Sequence, residues 1–405
     1  MRRQTPDATS QKTKNKRIEL YSRLLLFLPI RLLAADKPKL SLQSKANSLY
    51  LRKNLLPGYE RTRRTSVKMQ AIEHSKECVN FYEGTEKLLE IWFTRSDNRL
   101  DSCDLRKIKR SALDSLLEFV RCQILSMRRS EHFDGYVLSE SSMFVYKDRI
   151  ILKTCGQTTL LNCIEPLLYL AREIGGFDEI LDVFYSRKNF MRPELQDKSH
   201  SSFDREIELL DSEFELGSAY CMGKMNRNCW YLYTLHPLRG VTLPDQTLEL
   251  IMIDLDPKTM AIFTRACSSS AREATVKSGI DKLFHNMQVD DFLFDPCGYS
   301  MNGFLRGGYY VTIHITPELD FSYVSFETNA PPQSSSYTEL IAKILRLFGP
   351  TKFMMTIFAN EASQAYNHLH EYKANAFNGY QIEENQFTRF KNYELTFGNY
   401  CREAG

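Results

Sequence analysis

The chain reads as an α+β protein, a four-layer αββα sandwich built from two tandem repeats. Three features carry that expectation. Short segments of alternating apolar and polar residues recur along the chain, amphipathic helices separate them, and a similar strand–strand–helix succession occurs in both halves. Two sheets face to face with helices outside would bury the apolar faces of all four layers. With 405 residues, 43% hydrophobic and 25% charged, the chain is long enough to supply such a core.

Taken in order, residues 1–68 hold 17 Lys/Arg against 4 Asp/Glu and few aromatic residues. Residues 1–76 are read as a basic, disordered extension, with Met69 opening the functional chain and folded order starting near Cys78. The apolar patch Leu24–Ile30 is short and interrupted by Pro29, which argues against a secretory signal. An organelle presequence within 1–68 is the alternative. Phe81–Phe93 (FYEGTEKLLEIWF) fits a helix or a strand, and in either Glu86 and Glu90 share a face. Leu113, Leu116, Leu117 and Val120 predict an amphipathic helix over 111–127. Tyr136–Cys155 predicts two strands around a turn at Lys147-Asp148-Arg149, with a polar loop at Ser139–Ser142. A helix over 160–174 stops at Gly175-Gly176, Tyr185–Phe190 reads as a basic surface turn, and a third helix covers 203–214. Strands are expected at 218–222 and 229–235.

The second unit opens at Pro244–Glu249, where Asp245, Thr247 and Glu249 point to one side of a strand. Helix-like segments follow over 257–285. In the strand 310–316, Thr312, His314 and Thr316 occupy one face and Val311, Ile313 and Ile315 the other. An aromatic, Gly-rich loop is expected before it. A strand at 321–328, a helix at 336–348 and a strand at 352–359 complete the unit.

Composition excludes several classes. Beyond residue 68 the chain holds 36 basic against 46 acidic residues. An acidic body suits cationic ligands and speaks against nucleic acid. Ten cysteines without a CxxC pair fit reduced thiols in the cytoplasm. No apolar run reaches membrane-spanning length, so no membrane contact is expected. There is no phosphate loop and no HExxH, and His368-Leu369-His370 is too short a cluster to specify a metal. Gly298–Gly303 narrowly misses the GxSxG pattern of serine hydrolases.

Longer words are more specific. FYEGTEKLLE, YVLSESSMF, LKTCG, FYSRKNFM, AYCMG, PDQTLE, PCGYSMNG, IHITPE and FSYVSFETN occur in that order between Phe81 and Tyr393. In these words the chain resembles the pyruvoyl-dependent S-adenosylmethionine decarboxylases of eukaryotes. The resemblance implies the same four-layer fold over 77–405, and self-cleavage at Glu140-Ser141 into a β chain ending at Glu140 and an α chain opening at Ser141. It also implies that Ser141 becomes a pyruvoyl group, so neither metal nor pyridoxal phosphate is needed. That carbonyl condenses with the substrate amine and acts as the electron sink that decarboxylation requires.

By the same resemblance Cys155 is the proton donor, His314 the processing base and Ser300 its partner, while Glu83 and Glu86 belong to the active site. Tyr82 and Phe294 would sandwich the adenine and Glu318 would hold the ribose, with Glu140 beside the substrate. The family more often has Phe at the position of Tyr82. Asp245, Thr247, Glu249, Glu327 and Glu90 would bind putrescine as activator, and processed αβ units could pair as a homodimer. The rival reading is a catalytically weak paralogue that regulates an active decarboxylase. Retention of Ser141, Cys155, Ser300 and His314 together argues against it.

Overall fold

The computed structural model describes residues 81–236, 241–334, 336–373, 377–390 and 392–403. The expectations for 1–76, Met69 and Cys78, and the side chain of His370, fall outside the described residues.

The first eight strands are β1 (Lys87–Thr94), β2 (Ile124–Arg129), β3 (Phe133–Leu138), β4 (Ser141–Tyr146), β5 (Arg149–Thr154), β6 (Glu179–Lys188), β7 (Gly217–Gly223) and β8 (Cys229–Leu235). They form one antiparallel sheet in the order β2-β3-β4-β5-β1-β6-β8-β7. The next eight are β9 (Gln246–Ile253), β10 (Gln288–Leu293), β11 (Tyr299–Leu305), β12 (Tyr309–Thr316), β13 (Tyr323–Thr328), β14 (Lys352–Asn360), β15 (Tyr380–Arg389) and β16 (Tyr393–Arg402). Their order, β10-β11-β12-β13-β9-β14-β16-β15, repeats the first with every number raised by eight. The duplicated α+β unit is therefore a matter of topology as well as of sequence pattern.

Inner faces meet through mixed aromatic clusters. Phe133, Phe144 and Tyr146 of the first sheet pack on Phe304 and Tyr310 of the second, and Phe133 stacks on Phe304 with ring centroids 4.9 Å apart. Outside the second sheet, the helix Thr338–Phe348 buries Ile341, Ile344, Leu345 and Phe348 against Met301, Ile313 and Phe326. Leu113, Leu116 and Leu117 are likewise buried on the helix Arg110–Val120. The layers run helix, sheet, sheet, helix.

Several local expectations change. The predicted helix over 111–127 ends at Arg121 in the left-handed conformation, and residues 124–129 turn back as β2. Ser141 and Ser142 are not loop residues but open β4, and Val137 belongs to a separate strand. The expected turn at Tyr185–Phe190 is the end of β6. Arg187 and Lys188 are buried there, Arg187 against Glu206 at 2.8 Å and over the Phe190 ring. The Gly-rich segment before β12 is itself a strand, β11. Glycine and small polar residues read as loop, yet two flanking strands recruit them into the ladder.

Candidate active site

Register places the second sheet's polar side chains in two rows. Ser300 on β11 stands opposite His314 on β12, which stands opposite Ser325 on β13. The neighbouring row is Asn302, Thr312, Glu327 and Glu249. The two-residue period sends both rows inward and sends Met301 and Ile313 to the outer core. Facing them from the first sheet are Glu86 at the head of β1, Ser141 and Ser142 on β4, and Lys153 on β5.

Ser141 is the strained point of this face. Its φ is 113°, which residues bearing a side chain seldom adopt. Its Oγ donates to Glu86 Oε1 at 2.5 Å. The carbonyl of Glu140, one bond upstream, accepts the backbone N–H of Cys155 at 3.0 Å. A hydroxyl held by a carboxylate thus adjoins a carbonyl held by a donor. Burial pushes Glu86 up, but Lys153, His314 and the Ser141 hydroxyl outweigh it and hold the carboxyl below its usual range.

His314 Nδ1 lies 2.8 Å from Ser300 Oγ. Its Nε2 lies 2.7 Å from Thr312 Oγ1, 3.1 Å from Ser142 Oγ and 3.8 Å from Glu86 Oε1. Burial lowers the imidazole to about 4, Glu86 opposing and Lys153 assisting. At neutral pH the ring is uncharged and able to accept a proton.

A cavity of about 230 Å³ adjoins these groups, lined among others by Tyr82, Glu140, Ser141, Cys155, Phe294, Ser300, His314 and Glu318. The Tyr82 hydroxyl bonds the Glu140 carboxylate and lies 3.0 Å from Cys155 Sγ. Burial, then the charges of Glu140 and Glu86, push the Cys155 thiol well above its usual range. The turn after it needs Gly156. Its φ is 62°, and a Cβ there would come within 3.2 Å of Glu140 Oε2 and 3.3 Å of the Tyr82 ring. Glu83 sits apart from the cavity lining. Its carboxylate accepts the backbone N–H groups of Thr85, Met191 and Arg192, at 2.8 Å for Met191, and so ties β1 to the chain after β6.

A second, smaller cavity of about 50 Å³ lies among Glu90, Asp245, Thr247, Glu249 and Glu327, with Leu88, Phe184, Trp230 and Phe358 as apolar walls. Two buried cations enter this acidic cluster. Lys153 Nζ lies 2.7 Å from Glu327, 3.3 Å from Glu249 and 3.4 Å from Glu86. Arg149 bonds Glu90 and Asp245 at 3.0 Å each, between the Trp92 and Tyr146 rings. Five carboxyls therefore face two cations. Burial pushes Glu90 up to about 7, with Arg149 opposing and Asp245 adding; Glu249 also reaches about 7, with Lys153 opposing and Glu327 adding. Among the described residues no His, Cys, Asp or Glu group is arranged to hold a metal ion.

Comparison with known proteins then bears on this site. The family model of adenosylmethionine decarboxylase matches residues 79–401. The chain belongs to the adenosylmethionine decarboxylase family. An S-adenosylmethionine decarboxylase proenzyme of Drosophila melanogaster is 49% identical over 336 residues, covering 79% of this chain and 95% of its own. One from Xenopus laevis is 47% identical over 327 residues, covering 80% and 96%. The crystal structure of a Trypanosoma brucei AdoMetDC-delta26 monomer matches with a TM-score of 0.52 and 26% identity, over 65% of this chain and 99% of that one. The αββα sandwich of two repeats is thus the fold of this decarboxylase family.

Within this member of the adenosylmethionine decarboxylase family, sequence reasoning missed the buried cations Lys153 and Arg149 and the polar neighbours Ser142, Asn302 and Thr312. Lys153 left one legible signal, a cation directly after the apolar run Ile150–Leu152 with the parity of Cys155. Arg149 looked like a turn residue because Lys147 and Asp148 precede it.

Proposed function

We propose that the chain is a self-processing S-adenosylmethionine decarboxylase, supplying decarboxylated S-adenosylmethionine for spermidine and spermine synthesis in the cytoplasm. One observation carries the self-processing. Ser141, at a strained φ, donates its hydroxyl to an ionised Glu86 while the Cys155 N–H polarises the carbonyl before it. Attack by Ser141 Oγ on the Glu140 carbon gives an ester and relieves the strained amide. Glu86 takes the hydroxyl proton, and Cys155 N–H holds the developing oxyanion. His314 then removes the Ser141 α-proton, the Glu140 carboxylate leaves, and water hydrolyses the resulting dehydroalanyl end to the pyruvoyl group, releasing the Ser141 nitrogen as ammonia. Ser300 on Nδ1 fixes the ring during that step.

The lining fits such a group, because the carbonyl would form where a hydroxyl, an acid and a base already converge. Once formed, it accepts the electrons that decarboxylation releases. The chain's own residues do the rest. Tyr82 and Phe294 flank a flat, positively charged substrate, contacts worth roughly 0.5–2 kcal/mol each. Glu318 on the same cavity suits two ribose hydroxyls. Cys155, held protonated, delivers a proton to the carbon that has lost CO2. The excess of carboxyls over cations in the smaller cavity suits putrescine, a dication, as activator. Intact mass spectrometry tests the proposal: two chains divided between Glu140 and Ser141, the larger opening on a keto group, are expected. A single uncut polypeptide from folded protein would refute it.

A further inference from the structure

If His314 takes the Ser141 α-proton, a reading taken from the proposed function, one ring nitrogen must be bare to receive it. An uncharged imidazole has only one such nitrogen. Which one is bare depends on a row of polar groups behind the ring. Asn302 on β11 stands opposite Thr312 on β12, and Ser142 of β4 reaches both from the first sheet. All three are fully buried, so each hydroxyl proton must find its acceptor within the group. The row has one fixed end. Asn302 turns its carbonyl oxygen to Ser142, and that atom can only accept, so the Ser142 hydroxyl donates to it at 2.7 Å. Ser142 Oγ is left with lone pairs alone, facing Thr312 Oγ1 at 3.3 Å and His314 Nε2 at 3.1 Å. Thr312 Oγ1 lies closer to the ring, 2.7 Å from Nε2. Were Nε2 bare, its lone pair would point at those of Ser142. With the proton on Nε2, Thr312 donates to Ser142 and its own oxygen accepts from the ring. Ionised Glu86 favours the same placement, because its Oε1 lies 3.8 Å from Nε2 and an N–H is drawn to a carboxylate.

We infer that Asn302 is a positioning residue for self-cleavage: through Ser142 and Thr312 it keeps the His314 proton on Nε2 and leaves Nδ1 to take the Ser141 α-proton. Before the step Ser300 Oγ, 2.8 Å away, donates to the Nδ1 lone pair. The Ser141 Cα–H bond then breaks, its electrons form the dehydroalanyl double bond and expel the Glu140 carboxylate, and the proton becomes Nδ1–H. The imidazolium carries one proton on each nitrogen. Nε2–H rests on the Thr312 and Ser142 oxygens, and Nδ1–H is accepted by Ser300 Oγ, whose hydroxyl has rotated. Ser300 and His314 both line the larger cavity, through which the added proton passes to water. Without the amide oxygen the row reverses. The Ser142 proton turns to Nε2, the ring proton moves to Nδ1, and the nitrogen the step needs is blocked.

Asn302→Leu removes the amide and keeps most of the volume. The first readout is the ring itself, in full-length chain labelled with 15N-histidine and kept uncut by Ser141→Ala. At pH 7 His314 is neutral, because burial lowers it to about 4, so the spectrum reports the tautomer and not the charge. His314→Gln identifies its signals among the eight histidines. The parent should show Nε2 protonated and Nδ1 bare, and Asn302→Leu should move the proton to Nδ1. Ser142→Ala, a smaller change, should move it too, since Thr312 then has only the ring to donate to. Thr312→Val should leave it on Nε2, because Ser142 still accepts there. The second readout is cleavage with Ser141 present. Asn302→Leu should cleave about ten- to hundred-fold more slowly and accumulate an ester that hydroxylamine cuts. A parent ring protonated on Nδ1 overturns the inference, whether or not Asn302→Leu folds. So does a ring unmoved in both Asn302→Leu and Ser142→Ala, or cleavage of folded Asn302→Leu at the parent rate. If His314→Gln cleaves normally the base reading fails, whereas an uncut His314→Gln beside a parent ring protonated on Nδ1 sinks the role of Asn302 alone.

Discussion

Replacing Lys153 by Met tests whether the intersheet cluster is organised by one buried cation. The ammonium is fully buried and lies 2.7, 3.3 and 3.4 Å from three carboxyls. Met conserves most of the volume, so the change is chiefly electrostatic. Removing one partner of a buried ion pair costs about 3–5 kcal/mol, and for a fold of this length each kcal/mol moves the thermal midpoint by about 1.5 °C. The expected loss is therefore roughly 4.5–7.5 °C. Sign decides the pH dependence. Lys153 is raised by its acids, so its contribution is complete below its unfolded value near 10 and present throughout pH 5–8. In the variant Glu86 loses a charge that lowered it and moves up, and an acid with a raised folded pKa costs stability as pH rises. The deficit should be full at pH 8 and smaller at pH 5. Thermal unfolding of Lys153→Met against its parent, both carrying Ser141→Ala to keep the chains uncut, measures it. A midpoint within about 1 °C of the parent at pH 8, or a deficit equal at both pH values, would refute the reasoning.

Other outcomes follow from the same geometry. Ser141→Ala should leave an uncut, inactive chain, and normal cleavage on a gel would remove Glu140-Ser141 as the scissile bond. Cys155→Ala keeps the backbone N–H at the Glu140 carbonyl, so cleavage should persist, slowed at most, with product formation lost or diverted; unchanged turnover would remove the thiol as donor. Because His314 is neutral above about 4, the cleavage rate should be flat from pH 5.5 to 8 with respect to this group. A half-maximal rate near pH 6.5 would contradict it. Glu90 and Glu249 are raised to about 7, so their ionisation costs stability as pH rises from about 4.3 through 7. Putrescine should raise the thermal midpoint more at pH 8 than at pH 5.5, and less in Glu249→Gln; identical responses in parent and variant would count against the diamine site.

Short-range pattern was enough for much of this protein. Alternation in Thr312-Ile313-His314 and in Asp245–Glu249 assigned faces correctly, since a strand's two-residue period is local and needs no partner. The helices over 203–214 and 336–348 were legible for a similar reason, each with an apolar stripe of its own. Failures occurred where a segment's fate depended on distant neighbours. Residues 124–127 continue a helical pattern, yet β3 supplies a ladder that makes them a strand. Gly298–Gly303 looks like a loop until β10 and β12 bracket it. Arg187 is basic enough for a surface, but Glu206, nineteen residues away, neutralises it inside.

What the amino-acid order determined by itself was the kind of unit and its duplication, the inward faces, and the words that tie Ser141 and Cys155 to a family. It could not decide which charges would meet. Lys153 and Glu327 lie far apart in the chain, as do Ser142 and His314, and only the stacking of two sheets brings them within 4 Å. Nor could it say that the Tyr82 hydroxyl would reach both Glu140 and Cys155. Periodicity acts through the backbone and is written residue by residue, whereas counter-charge and proton contact depend on distance through space, which the closed sandwich alone sets.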